Sequence, residues 1–262
     1  NCPLLGDGQH PSPHQSSPSD GPCAQSCTTL HLLNFDGTLD NRQLAPYTAL
    51  VKKVRHANVE YSNEFTPLVR EMDSLGSLVL HQTKFSSTQP IRNAQLRSLI
   101  KLTLVSSDPA VLAVLQPRLA NLTTLSIDGV NQAFVNALAL YIPHLSLLQS
   151  LHLTRLDRRP ILDPLINVLP ISTLTRLHLG FWPPPSLLKS LPKSTTTLVI
   201  GPECQVDGTC TLADFEDALT WRKRFLPALA RLGIYIRSKD CEASREEITR
   251  VAGEADGFRF DV

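Results

Sequence analysis

Apolar residues recur along this chain in one arrangement, Leu-x-x-Leu-x-Leu or a close apolar variant, about every 24 residues from Cys27 to Ile234. The clearest copies are Leu75-Gly-Ser-Leu78-Val-Leu80, Leu99-Ile-Lys-Leu102-Thr-Leu104, Leu122-Thr-Thr-Leu125-Ser-Ile127, Leu148-Gln-Ser-Leu151-His-Leu153 and Leu174-Thr-Arg-Leu177-His-Leu179. Weaker copies begin at Cys27, Val51, Thr195 and Leu229. The starts at 27, 51, 75, 99, 122, 148, 174, 195 and 229 are spaced by 24, 24, 24, 23, 26, 26, 21 and 34 residues. Side chains in a strand swap faces with period two, so the fourth and sixth positions share one face. Each copy therefore predicts a short strand with positions one, four and six turned inward and positions two, three, five and seven toward water.

Between strands the pattern changes to helical spacing. Asp108-Pro109 reads as an N-cap followed by proline at the first helical position, with Val111, Leu112, Leu115 and Leu119 on one face. Asp163-Pro164 repeats the device ahead of Leu165, Ile166 and Leu169, and Phe134, Leu138 and Ile142 form the matching stripe in the coil between. Pro117, Pro143, Pro170 and Pro192 each lie shortly before the next copy, where a helix is expected to stop. No single coil of this kind can bury its own apolar face, so neighbours must stack into one continuous core.

Residues 27 to about 236 resemble the leucine-rich repeat superfamily. The resemblance implies an α/β fold, a curved solenoid of about nine coils with a parallel sheet on the concave face and helices on the convex face. With strands about 4.8 Å apart it would be a rod roughly 40 Å long. Extracellular members keep Asn or Cys at the ninth position of the repeat. Here that position holds Phe35, Val59, Thr83, Ser107, Val130, Leu156 and Trp182. The pattern is more similar to the irregular repeats of intracellular adaptors, especially those that follow an F-box. That likeness implies substrate recognition in an F-box-type ubiquitin ligase, with a Skp-type adaptor and a cullin as partners if an F-box lies upstream. A stand-alone inhibitor or scaffold similar to ribonuclease-inhibitor-like proteins is the alternative.

Composition narrows the field. A chain of 262 residues with 42% hydrophobic content can bury a substantial core as one solenoid domain. A net charge of +1 gives no global attraction to nucleic acid or an anionic membrane. The longest apolar stretch, Ala133 to Leu148, is interrupted by Asn136, Pro143 and His144 and is not a membrane span. No nucleophile elbow, phosphate-cradling glycine loop, metal-ligand spacing or matched carboxylate pair is present. The expectation is a monomeric cytoplasmic or nuclear binding protein, not an enzyme, with a protein partner, no cofactor, no metal, no nucleic acid and no membrane. The chain begins at Asn1 with Met72 as its one methionine, which suggests a truncated, processed or incomplete sequence.

Residues 1 to 26, rich in Pro, Ser, Gly and Gln, suit a flexible lead-in. Residues 237 to 262 read as a capping unit, with a capping box at Ser244-Arg-Glu-Glu247 and a last strand within Gly257 to Val262. Thr211 is expected to cap a helix running to about Phe225, whose tail Trp221-Arg-Lys-Arg224 is basic. Cys204 and Cys210 are read as reduced thiols, with a small disulfide loop and then metal binding as the alternatives. A secreted recognition protein would need that disulfide and sugar at Asn121 in Asn121-Leu122-Thr123.

Repeat phase also says which residues line the exposed face of the sheet. Position three carries Arg176 and Arg231, position five His152 and His178, position seven Asp128, Thr154 and Tyr235. Arg155, Arg158 and Arg159 follow one strand, and Phe181-Trp182-Pro-Pro-Pro185 follows the next. An outward Phe181 beside cations has the composition of a binding hot spot, the alternative being a ring folded onto the prolines. The candidate partner-binding residues are His152, Arg155, Arg176, His178, Phe181 and Tyr235.

Overall fold

Within each of two units, the repeat phrases pair each strand with the strand before it. The computed structural model describes residues 2–3, 29–33, 54–60, 72–83, 96–156, 161–181, 183–203, 226–234 and 258–259. Two compact units divide the chain, Asn1–Arg118 and Leu119–Val262. In the first, β1 (Cys2–Pro3), β2 (Thr29–Leu33), β3 (His56–Glu60), β4 (Ser77–His81) and β5 (Lys101–Val105) pair in chain order, every pair parallel. In the second, β6 (Thr124–Val130), β7 (Ser150–Leu156), β8 (Arg176–Phe181), β9 (Thr197–Glu203), β10 (Arg231–Ile234) and β11 (Phe258–Arg259) do the same. Strands that follow one another in sequence and pair in parallel, each joined by a return segment, make a solenoid. The fold is the expected α/β leucine-rich repeat solenoid.

Register and repeat phase coincide. Leu78 pairs with Leu102 in the first unit, and Leu125, Leu151, Leu177, Leu198 and Leu232 pair in succession in the second. Positions one, four and six are buried in every described copy from Leu75 to Ile200, Thr195 included. Below them lies a further apolar row. Met72, Leu96, Leu119, Leu145 and Leu226 are buried three residues ahead of a phrase. Each accepts a hydrogen bond at its carbonyl from the first phrase residue, as from the Leu75 N–H to Met72 at 3.1 Å and the Leu148 N–H to Leu145 at 3.0 Å.

The second copy needs correcting. Read from Val51 it puts His56 at an inward place. In the structure Val54, Ala57 and Val59 are buried, His56 is exposed, and Ala57 and Val59 pair with Leu78 and Leu80. The phrase starts at Val54, three residues later, because burying three apolar side chains is favoured over burying an imidazole. Val59 is thus a sixth-position residue and Ala57 is not on the exposed face. The carbonyls agree: the second-position carbonyl of one coil accepts from two amides of the next. Arg55 accepts from Gly76 and Ser77, Gly76 from Ile100 and Lys101, Gln149 from Thr175 and Arg176, and Thr196 from Ala230 and Arg231.

Among the described residues the helices of the return segments are short. They are α1 (Ala110–Val114), α2 (Gln116–Leu119), α3 (Gln132–Tyr141), α4 (Asp163–Ile166) and α5 (Pro185–Lys189), with single 3₁₀ turns at Ile142–His144 and Leu169–Ile171. The Asp108 carboxylate accepts from the Ala110 N–H at 2.8 Å and supports the start of α1, although Pro109, expected as the first helical residue, is the N-cap and Asp108 lies one residue before it. Asp163 is instead the first residue of α4, and its side chain makes no cap. Asn131 caps α3, accepting from the Phe134 N–H at 3.0 Å. The helices stop as expected at Val114, Tyr141, Ile166 and Lys189, shortly before Pro117, Pro143, Pro170 and Pro192, but the first three prolines do more than mark a stop. Each opens a second helical turn, where its missing N–H costs nothing. Val111, Leu112, Leu115, Leu119, Phe134, Leu138, Ile142, Leu165 and Leu169 are buried beneath the sheet as the stripes predict, with Ile166 half-buried.

Cys2–Pro3 pairs with Leu30 and His31, so the ladder begins inside the segment expected to be a flexible lead. Phe258–Arg259 pairs with β10 as the expected last strand. The helices expected at 211–225 and 244–252, Cys204, Cys210, Phe35, Arg158, Arg159, Trp182 and Tyr235 lie outside the described residues. Among the described residues no helix is long and apolar enough to cross a membrane.

Candidate functional site

A parallel sheet usually has both faces covered. In the second unit one face packs on the return segments, while the other carries half-buried or exposed polar side chains. Thr124, Ser126, Asp128, His152, Thr154 and Arg176 all stand on it. Two devices at the strand ends shape this face.

The first is a left-handed residue at position eight. Gln82, Ser106 and Arg155 have φ of 47°, and Gly129 has φ of 90°. A left-handed residue breaks the period-two alternation, so position eight stays out and position nine turns in. Thr83, Ser107 and Val130 are accordingly buried. Ser107 does there what an amide side chain would do. Its hydroxyl donates to the Leu80 carbonyl at 2.9 Å and accepts from the Thr83 N–H at 3.3 Å, tying one coil to the next.

The second device is the exception. Position eight of β8 is Phe181, which is not among the residues with positive φ. The strand stays extended, so Phe181 follows Leu177 and Leu179 inward and is 0% exposed. This corrects its expected role, since a buried ring offers nothing to a partner. A register irregularity sits between Leu179 and Phe181 where β8 meets β9. There the backbones crowd: a Cβ on Gly201 would lie 2.5 Å from the Gly180 Cα, and one on Gly180 would lie 2.9 Å from the Thr154 Cα. Position seven is glycine in both strands because nothing larger fits.

The remaining candidates do come together. His152 and His178 are direct register partners, with ring centroids 5.4 Å apart and planes tilted by 58°. Ser150 Oγ lies 3.0 Å from His152 Nε2 and fixes the ring from its own strand. Burial holds the His178 imidazole below its ordinary pKa by penalising the charged form. Arg176 is exposed two residues before His178. Arg155 is exposed at the strand end, where its guanidinium grips the Asp128 carboxylate through Nε and Nη2. Thr154 Oγ1 donates to the same carboxylate at 3.1 Å. Asp128 as the holder of Arg155 was not foreseen, although both residues fall on neighbouring coils at positions seven and eight. Arg231, exposed in the row of Arg176, belongs to the site on the same grounds of phase. Among the described residues no group of His, Cys, Asp or Glu is arranged to hold a metal ion.

Fold and face together define a leucine-rich repeat solenoid with a polar sheet face that no described element covers. No protein-family model matches the chain, and no curated protein does. Among solved structures, an internalin from Listeria monocytogenes is similar at 17% identity and a TM-score of 0.46, covering 84% of this chain and 57% of its own. A leucine-rich repeat protein from Leptospira interrogans is similar at 15% identity and a TM-score of 0.41, covering 87% of this chain and 58% of its own. The chain spans less than two thirds of either. The fold assignment rests on the ladder described above.

Proposed function

We propose that this chain is a protein–protein interaction module that holds its partner on the polar sheet face and the strand ends beside it. The observation that carries the reading is a parallel sheet whose second face is polar and covered by no described element, where such faces are ordinarily covered. Solenoids use surfaces of this kind for extended contacts. His152, Arg176, His178 and the Arg155–Asp128 pair supply fixed polar groups to it. The direct test is a photo-crosslinking residue at Thr197 on the face, compared with one at the exposed Leu140 of α3 on the return side. Capture of partner from Thr197 and not from Leu140 supports the reading; the reverse pattern overturns it.

The finer reading is substrate recognition within an F-box-type ubiquitin ligase of the cytoplasm or nucleus. Its support is the irregular repeat, with a hydroxyl doing the ninth-position work in place of asparagine. Affinity purification of the full-length protein from its own cells tests it. Co-elution of a Skp-type adaptor and a cullin supports the ligase reading. One stoichiometric partner without them favours a stand-alone inhibitor or scaffold.

A further inference from the structure

We infer that the Arg176–Arg231 row binds an acidic, extended segment of a polypeptide partner, an inference that rests on the sheet face being the binding face. Arg176 pairs in register with Thr197, and Thr197 with Arg231, so the two arginines stand in one row with a neutral hydroxyl between them. Two strand spacings put their Cα atoms about 10 Å apart, which an extended segment covers in about three residues. Both are exposed, and neither makes an ion pair with any described residue. The described carboxylate on this face, Asp128, is already neutralised by Arg155 and Thr154. The face therefore presents two guanidinium groups that no described carboxylate compensates, with the Thr197 hydroxyl between them as a hydrogen-bonding partner for a bound backbone. Guanidinium groups recognise carboxylates in a bidentate fork, and opposite charge steers an acidic segment to the row.

A polyanionic nucleic acid is the competing ligand. The chain's net charge of +1 gives no long-range pull on a phosphate backbone, and the described positions three, five and seven carry no Phe, Tyr or Trp on which bases would stack.

Fluorescence anisotropy on the full chain tests the inference. The labelled probes are a short peptide of alternating Glu and Ser, its Gln/Ser and Lys/Ser counterparts, and oligothymidylate. The Glu/Ser peptide should bind at least about tenfold tighter than the Gln/Ser peptide, and should weaken as salt is raised. Arg176→Gln with Arg231→Gln should abolish that preference at unchanged melting temperature, and the double Lys variant should retain most of it. Equal binding of the Gln/Ser peptide, a preference untouched by the Gln variants, or tighter binding of oligothymidylate overturns the inference. A partner segment crosslinked at Thr197 that lacks Asp and Glu overturns it too, while leaving the sheet face standing as the binding face. Capture only at Leu140 overturns that reading and the inference together.

Discussion

His178 sits mid-strand with ionisable neighbours on two sides. His152 faces it from β7, Arg176 precedes it on its own strand, and β9 offers only Val199. Its folded pKa is lowered by burial, while the unfolded chain keeps the ordinary value of 6.5. Above that value both states are neutral and His178 adds no pH dependence. As pH falls below 6.5 the unfolded state takes the proton first, so stability drops until the folded imidazole titrates as well. The melting temperature should therefore fall on acidification from neutral pH, and His178→Gln should flatten part of that fall. An equal fall in the variant would move the effect to other groups. Phe181 and Arg176 give the second residue-scale prediction. Phe181→Ala should cost about 3–5 kcal/mol in chemical denaturation, because it empties a fully buried site. Arg176→Ala, exposed on the face, should change stability by less than about 0.5 kcal/mol.

At the scale of the strand and its end, the crowded meeting of β8 and β9 is the most sensitive place. Gly201→Ala must push a methyl group against the Gly180 backbone, which cannot give way as a side chain can. The expected loss is about 1–3 kcal/mol, with the 197–203 amide resonances shifted by NMR. A neutral substitution would mean that the two backbones separate freely. The phrase itself was legible here because inward positions follow a period that any strand obeys. The second copy was not, since Val51 and Val54 both offer plausible starts and only burial of Val54, Ala57 and Val59 against the next coil decides between them. The second helical turns that hold Pro117, Pro143 and Pro170 were missed for a related reason. Proline breaks a helix in its interior but begins one readily, and which applies depends on where the chain turns.

Each unit is a chain of nearest-neighbour contacts, so protection should depend on position along it. Within 119–262, β7 and β8 are each paired on both sides, whereas β10 has the two-residue β11 as its outer neighbour. Amides of β7 and β8 should exchange with solvent at least about tenfold more slowly than those of β10. Uniform protection would point to a single all-or-none unit instead. The candidate face was partly legible at this scale: phase alone placed His152, Arg176 and His178 on one surface, and their adjacency followed from strand order.

What the sequence by itself determined was the repeat, hence the strands, their parallel order and the inward rows, because each follows from local periodicity and from the need of every coil to be covered by the next. What only the tertiary structure decided was where the periodicity is broken. A left-handed residue at position eight buries the ninth residue after Gln82, Ser106 and Gly129, and leaves Leu156 half-buried after Arg155. Its absence at Phe181 sends that ring into the core. Whether a backbone adopts that conformation depends on what the neighbouring coil leaves room for, and that contact is made by residues some two dozen positions away in the chain.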